Sequence, residues 1–89
     1  MDSTSIVVAV SILAAGLAIA VGGYGPARAE GEAVARAMEA IARQPESAGQ
    51  IMRTLFIGLA FIEAIAIYAL VIAMVILFAN PLLENLIKK

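Results

Sequence analysis

The sequence contains no cysteine and no histidine. The absence of cysteine excludes disulfides and thiolate metal sites. The absence of histidine removes the usual general base and the commonest metal ligand. Charged residues make up only 15% of the chain, the net charge is -1, and the basic residues form no patch of the kind that binds nucleic acid. The remaining chemistry therefore rests on a few carboxyl, guanidinium and hydroxyl groups.

Apolar residues, in contrast, are abundant. They make up 63% of the chain and the mean hydropathy is +1.00, whereas a soluble domain contains about 45–50% apolar residues. Two apolar runs, Ser5–Ala27 and Thr54–Ala79, are each long enough to cross a bilayer. The sequence therefore predicts a membrane protein with two spans.

The N-terminus is not expected to be a cleaved secretory signal. The region Ser11–Ala20 resembles an apolar signal core, and Ala18-Ile19-Ala20 resembles a cleavage site. However, Met1-Asp2-Ser3 carries a negative charge where a signal peptide needs a positive one.

The pattern predicts an all-α hairpin in a single domain that covers residues 1–89. The first helix runs from about 5 to 42 and bends at Pro26, because proline removes one backbone hydrogen bond. A polar loop at 43–47 follows, with Ser47 as the cap of a second helix that runs from about 48 to 79. Residues 80–89 form a short amphipathic tail after Asn80-Pro81.

Charge near the loop predicts the orientation. Arg36, Arg43 and Arg53 favour a cytoplasmic loop with both termini on the opposite side, although Lys88 and Lys89 weaken this signal. Three charged pairs also have i,i+4 spacing on the predicted helix. They are Arg28/Glu32, Glu32/Arg36 and Glu39/Arg43.

Small residues form two stripes on the first helix at about 100° per residue. One stripe is Gly23, Ala27 and Gly31, and the other is Gly25, Ala29 and Ala33. Close packing drives helix association in lipid. A helix with a like neighbour on each side is what a closed homo-oligomeric ring requires.

Glu63 lies within the second apolar run, where a carboxylate costs roughly 2.5–3.5 kcal/mol. Counted from the loop, Glu30 of the first helix lies within ~3 Å of the same depth. The two carboxyls can therefore share one proton. The alternative for Glu30 is an interfacial charge paired with a nearby arginine.

Two further residues lie near this depth. The Tyr68 hydroxyl could close the site over Glu63, or Tyr68 could be a packing aromatic. Arg28 lies roughly 160° around the helix from Glu30 and could pair with Glu32.

These features together resemble the c-subunit, the proteolipid rotor component of F-type ATP synthases. The resemblance covers nearly the whole chain. It rests on GYGPARAEG at 23–31, ARQPE at 42–46, Glu63 followed by Ile67-Tyr68, and FANP at 78–81. The opening MDSTSIVVAVSI is similar to the N-type branch of these ATPases.

The resemblance implies a ring with first helices inside and second helices outside, in a bacterial inner membrane. Glu63 would carry the ion past the a-subunit of the membrane sector, and Arg43, Gln44 and Pro45 would contact the central stalk. The chain would have no catalytic residues and no cofactor of its own.

The coupling ion is expected to be H⁺. Sodium-binding members usually follow the key glutamate with serine or threonine, whereas Ala64 follows it here. A hard cation wants oxygen ligands, and those remaining are the Glu63 and Glu30 carboxyls, the Phe61 carbonyl and water. Na⁺ at Glu63 and Glu30 is the alternative, since the second carboxylate can replace the lost hydroxyl. The family's glycine repeat is also less complete here, because Ala27 and Ala29 replace two glycines.

Two other functions fit an oligomeric hairpin. A small pore-forming protein would leak ions and tolerate loss of Glu63. A structural hairpin in a larger complex would show no unusual titration. Neither needs a neutralisable acid within the membrane.

Overall fold

The computed structural model describes residues 2–88, with the side chains at positions 83 and 88 left undescribed. Met1 and Lys89, which enter the predictions about the signal and the orientation, lie outside the described residues. The elements in order are α1 (Ser3–Gly22), α2 (Tyr24–Arg43), a 3-10 turn (Pro45–Ser47), α3 (Ala48–Phe78) and α4 (Pro81–Lys88). The first arm, α1 followed by α2, runs antiparallel to the second arm, α3, in a body of 66 × 18 × 10 Å. The predicted all-α hairpin is confirmed.

The first arm is interrupted at Gly23, so the predicted single helix is corrected to two segments. Pro26 has no N–H to donate to the Gly22 carbonyl, and the helical ladder therefore lacks one bond at that point. The bonds on either side remain, from Gly23 N to Ile19 O at 2.8 Å and from Ala27 N to Gly23 O at 3.0 Å. Gly23 keeps right-handed helical dihedrals (φ -87, ψ -17), so α2 continues α1 closely.

The loop is short because proline ends one helix and begins the next turn. Gln44 has non-helical dihedrals (φ -133, ψ 73), as expected for the residue before Pro45. Ser47 lies in the 3-10 turn, where its N–H donates to the Gln44 carbonyl at 2.9 Å. Its dihedrals (φ -96, ψ 3) differ from the extended ones typical of a capping serine, and its side chain makes no capping bond. Ser47 thus takes the predicted N-cap position of α3, but the side-chain capping bond is absent.

The arms pack through small side chains. The buried residues among the described side chains are Ala15 at 3%, Ala37 at 8% and Ala73 at 4% exposure. At Gly22 the approach is closest, because a Cβ there would lie 2.8 Å from the Ala69 Cβ. Such contacts bring the two arms close together, as in helix pairs packed within lipid.

Most of the large apolar side chains are exposed on the surface of the hairpin. Two helical stretches, of 41 and 34 residues, have mean hydropathies of 2.5 and 2.7 in their most apolar windows, which are only 6% buried. A soluble protein rarely exposes so much contiguous apolar surface. The hairpin is therefore built to be covered by lipid or by other copies.

The end of the second arm is tied to the first by Asn80. Its Oδ1 accepts a hydrogen bond from the Leu82 N–H at 3.0 Å, and its Nδ2 donates to the Ser11 Oγ at 2.7 Å. Pro81 occupies the first position of α4, where its missing N–H costs nothing. The predicted amphipathic tail is helical from Pro81 and contacts α1.

Candidate functional site

One face of α2 packs against α3, and it carries Glu30. The residues on this face recur at intervals of three or four, as on one side of a helix, and all are partly or fully buried. They are Pro26, Glu30, Ala33, Ala37, Ala40 and Ile41. The carboxyl of Glu30 is therefore held between the arms.

Glu63 meets Glu30 across this interface. The two carboxyl groups interact side chain to side chain. Glu30 is partly buried, whereas Glu63 is exposed on the surface of the hairpin. The structure thus brings together the two acids that the sequence places at one depth.

Two carboxyls in contact have two uses. When one is protonated, it can donate a hydrogen bond to the other, and the protons then belong to the pair. When both are ionised, their oxygens can coordinate a hard cation. In either case the pair could hold one positive charge between the arms.

The neighbouring residues do not close the pair within one chain. Phe61 and Tyr68 are 73% and 69% exposed. On a helix these positions are rotated by about 160° and 140° from Glu63. Among the described residues the Tyr68 hydroxyl has no hydrogen-bond partner, so it does not bond Glu63 in the single hairpin.

The other two positions near Glu63 offer no side-chain ligand. Ala64 is partly buried and has no hydroxyl. The Phe61 carbonyl lies inside α3, where its helical partner is the Ile65 N–H. If the Phe61 carbonyl bound a cation, it would do so in addition to accepting its helical hydrogen bond.

Arg28 lies on the side of α2 away from Glu30. Its Nη1 donates to the Tyr24 hydroxyl at 3.5 Å. Glu32 instead pairs with Arg36 at 3.5 Å, and Glu39 with Arg43 at 3.9 Å. The predicted Arg28/Glu32 pair is therefore absent from the described contacts, while the other two predicted pairs are confirmed.

The tip of the hairpin presents Arg43, Gln44 and Pro45, all exposed. The Arg43 guanidinium bends back toward Glu39. The backbone at Gln44 and Pro45 turns sharply, so these side chains project beyond the helix ends.

Sequence reasoning missed the link between Ser11 and Asn80. Asparagine before proline at the start of an apolar-periodic segment is a helix-start signal, and it could have predicted the cap of α4. No local pattern could have paired Asn80 with Ser11, because 69 positions separate them in the chain.

Comparison with known proteins agrees with this architecture. Residues 13–76 match the sequence model of the family of ATP synthase c-subunits. The chain is 66% identical over 71 residues to the ATP synthase c-subunit 2 of Cereibacter sphaeroides, covering 80% of this chain and 86% of that protein.

More distant relatives match over a greater length. The chloroplast ATP synthase c-subunit of Galdieria sulphuraria is 52% identical over 81 residues, covering 91% of this chain and 98% of that protein. The ATP synthase c-subunit of Dictyoglomus thermophilum is 51% identical over 80 residues, or 90% and 95% of the two chains. With two long apolar helices and this similarity along nearly its whole length, the chain belongs to the ATP synthase c-subunit family, the non-catalytic membrane rotor components of that complex.

Proposed function

We propose that this chain is the ion-carrying unit of a rotor ring, in which Glu63 takes up and releases one H⁺ each time it passes the a-subunit. Glu30 shares the site. The observation that carries the proposal is the contact between the Glu30 and Glu63 carboxyls across the α2–α3 interface. Glu63 alone would be an unpartnered acid on an apolar surface, whereas the pair can hold a proton between two oxygens.

The arrangement of the first arm supports a ring. One side of α2 faces α3, and the two small-residue stripes flank that side. Ala27, Gly31, Gly25 and Ala29 are exposed in the single hairpin, and a Cβ at Gly25 or Gly31 would meet nothing within 4 Å. Neighbouring copies can therefore approach closely on both flanks, which closes a ring with the first arms inside.

Charge neutralisation makes the rotation through lipid feasible. An ionised carboxylate in the membrane costs roughly 2.5–3.5 kcal/mol on insertion scales. The pair is neutral and avoids that cost when Glu63 takes up its H⁺ beside a Glu30 carboxyl that stays protonated. Glu63 lies on the exposed surface of α3, so the protonated form faces lipid and the ionised form faces the polar channels of the a-subunit. Each charge moved across the membrane yields about 2.3 kcal/mol per 100 mV.

H⁺ is favoured over Na⁺ because the site is poor in oxygen ligands. Ala64 contributes none, and the Tyr68 hydroxyl makes no hydrogen bond to Glu63 among the described contacts of the single hairpin. Hard cations such as Ca²⁺ take roughly six to eight oxygens. Na⁺ would rely on the two carboxyls and a helical carbonyl.

We also propose a cytoplasmic loop in a bacterial inner membrane, with Arg43, Gln44 and Pro45 against the central stalk. Exposed side chains at the hairpin tip and arginines at both helix ends support this orientation. The opening residues favour the N-type branch of these ATPases.

Carbodiimide labelling of purified rings tests the proposal, since the reagent attacks protonated carboxyls. We expect Glu63 to be labelled, with labelling that falls as pH rises and is unaffected by Na⁺ at fixed pH. Protection by Na⁺ at fixed pH would replace H⁺ with Na⁺ as the coupling ion. Absence of labelling at Glu63 at every pH would overturn the site.

A further inference from the structure

The side of α2 that faces away from α3 is charged along its whole length. Its residues recur at intervals of three or four and all are exposed. They are Tyr24, Arg28, Glu32, Arg36, Glu39 and Arg43, here called the charged face. On a helix the centre of this face lies about 145° from the face that carries Glu30.

The charged face has one more positive than negative residue. Its two glutamates each pair with an arginine, at 3.5 Å for Glu32–Arg36 and 3.9 Å for Glu39–Arg43. Arg28 has only the Tyr24 hydroxyl, at 3.5 Å, among the described contacts. However the pairs rearrange, three arginines and two glutamates leave one positive charge per copy on this face.

Arg28 is also the charge on this face that lies farthest from the loop. It precedes Glu30 by two residues, or ~3 Å along the axis. On the second arm, the apolar run continues from Glu63 toward the loop as far as Thr54, ~14 Å farther. The polar boundary therefore lies deeper on the first arm than on the second.

Beyond Tyr24 the same side of the first arm is apolar. Exposed side chains follow one another at helical intervals along α1, and they are Ile6, Val10, Leu13, Leu17 and Val21. The distance from Ile6 to Tyr24 is ~27 Å along the helix, longer than the ~15 Å depth of one leaflet. The Arg28 guanidinium thus lies at one end of a stripe of apolar side chains, and this stripe is long enough to pack along an acyl chain.

We propose that Arg28 and Tyr24 bind the phosphate of an anionic phospholipid inside the ring, with its acyl chains along α1. This rests on the proposed function, because the ring is what encloses the face. A guanidinium can grip two phosphate oxygens at once, and the tyrosine hydroxyl can donate to a third.

The surplus charge favours a bound anion. In a ring, every copy presents Arg28 at the same level, and these like charges repel one another across a partly apolar space. A phospholipid supplies both the negative charge and the apolar chains that the α1 stripe fits. Free phosphate supplies only the charge.

The test compares rings purified from membranes that contain phosphatidylglycerol, after external lipid is removed with detergent. Retained phospholipid is identified by mass spectrometry, and inorganic phosphate is assayed separately. We expect wild-type rings to retain phosphatidylglycerol and Arg28→Gln rings to lose most of it. The double variant Glu32→Gln with Arg36→Gln removes a whole ion pair from the same face, keeps its surplus positive charge and is expected to retain the lipid.

Arg28→Lys is the second variant, used if Arg28→Gln rings do not assemble. It keeps the positive charge but lacks the planar guanidinium. We expect weaker retention of phosphatidylglycerol than in wild type. Equal phosphatidylglycerol in wild-type and Arg28→Gln rings, or retained phosphorus that is only inorganic phosphate, would overturn the proposal.

Carbodiimide labelling of the same rings separates this proposal from the proposed function. Glu63 lies on the other side of the hairpin from Arg28, so its labelling is expected to be equal in wild-type and Arg28→Gln rings. Loss of lipid with unchanged labelling supports the headgroup site. If Arg28→Gln rings lose the lipid while wild-type rings show no Glu63 labelling, the headgroup site stands and the ion site alone is overturned.

Discussion

Two of the polar contacts between the arms of the hairpin differ in kind. At mid-length, the carboxyls of Glu30 and Glu63 interact with each other. Near the termini, the neutral Asn80 amide donates to the Ser11 hydroxyl at 2.7 Å. A neutral donor and acceptor satisfy each other permanently, whereas two acids require a bound positive charge. The Asn80–Ser11 contact is therefore suited to holding the fold, and the acid pair to exchanging an ion.

Between these contacts the arms touch mainly through alanine and glycine. Small residues bury little apolar area. Large apolar side chains would gain little by packing against the other arm, because lipid chains give them an equally apolar environment. Close approach at Gly22 and Ala69 therefore matters more here than it would in a soluble core. The following substitutions test whether the Asn80–Ser11 contact holds the fold and the acid pair exchanges the ion.

Glu63→Gln should have the largest effect, a complete loss of coupling between ATP turnover and ion flow. The amide keeps the size and hydrogen bonding of the side chain but cannot release a charge. The measurement is ATP-driven ion uptake into vesicles that contain the assembled complex. Retained coupled transport would contradict the ion-carrying role.

Glu30→Gln is the matched control, because it changes the partly buried partner in the same contact. The amide introduced at this position would still donate a hydrogen bond to the Glu63 carboxylate, so coupled H⁺ transport should persist at a reduced rate. If this variant abolishes transport as completely as Glu63→Gln does, the two acids have equal roles and the distinction is wrong.

Gly22→Ala should destabilise the packing of the two arms, because the new Cβ would lie 2.8 Å from the Ala69 Cβ. Overpacking costs ~1–3 kcal/mol, which exceeds the gain of up to ~1 kcal/mol from alanine in a helix. The measurement is the temperature at which rings dissociate in detergent.

Gly58→Ala is the control for that experiment, since a Cβ there meets nothing within 4 Å in the hairpin. Ala69→Gly should restore the Gly22→Ala variant by removing the opposing methyl group. A dissociation temperature that is equally lowered by Gly58→Ala would show that the close approach at Gly22 is not special.

Asn80→Ala should have a smaller effect, ~1–2 kcal/mol, because it removes one hydrogen bond and one helix cap. Asn80→Asp keeps the acceptor for the Leu82 N–H but loses the donor to Ser11. Hydrogen exchange at Leu82 separates the two roles. Protection should survive in Asn80→Asp and in Ser11→Ala, and it should fall in Asn80→Ala; equal loss in the Asp and Ala variants would be evidence against the cap.

Asp2 should show the smallest effect, and one that depends on pH. The Ser5 N–H donates to the Asp2 Oδ1 at 2.8 Å, and this bond lowers the pKa of Asp2 below its usual value of 3.8. Because the folded pKa is the lower one, the cap contributes fully above the unfolded value and is lost as pH falls through the folded pKa.

Amide exchange at Ser5 measures this loss as pH falls below about 3.8. Asp2→Asn keeps a capping oxygen without a titrating group, so its Ser5 protection should not change with pH in that range. Identical pH profiles in both proteins would show that the carboxylate is not the cap.

Several features followed from sequence because they depend on neighbouring residues. The lengths of the apolar runs, the end of α2 before Pro45 and the pairs Glu32/Arg36 and Glu39/Arg43 are local consequences of composition and helical spacing. The similar depth of Glu30 and Glu63 also followed from the sequence. Residues counted from one tight turn advance by the same rise along both antiparallel helices. The Ser47 capping bond is absent because a 3-10 turn replaced the extended dihedrals it needs.

Other features needed the tertiary structure, because they depend on how one arm is rotated against the other. The rotation decides that Glu30 faces α3 while Arg28 faces away, and that Gly22 meets Ala69. It also decides that Asn80 reaches Ser11 across 69 positions of chain. Sequence alone determined a two-span helical hairpin with acids at one depth, since hydropathy and helical rise are properties of each segment. The partners of those acids and of Asn80 were decided only when the two segments packed together.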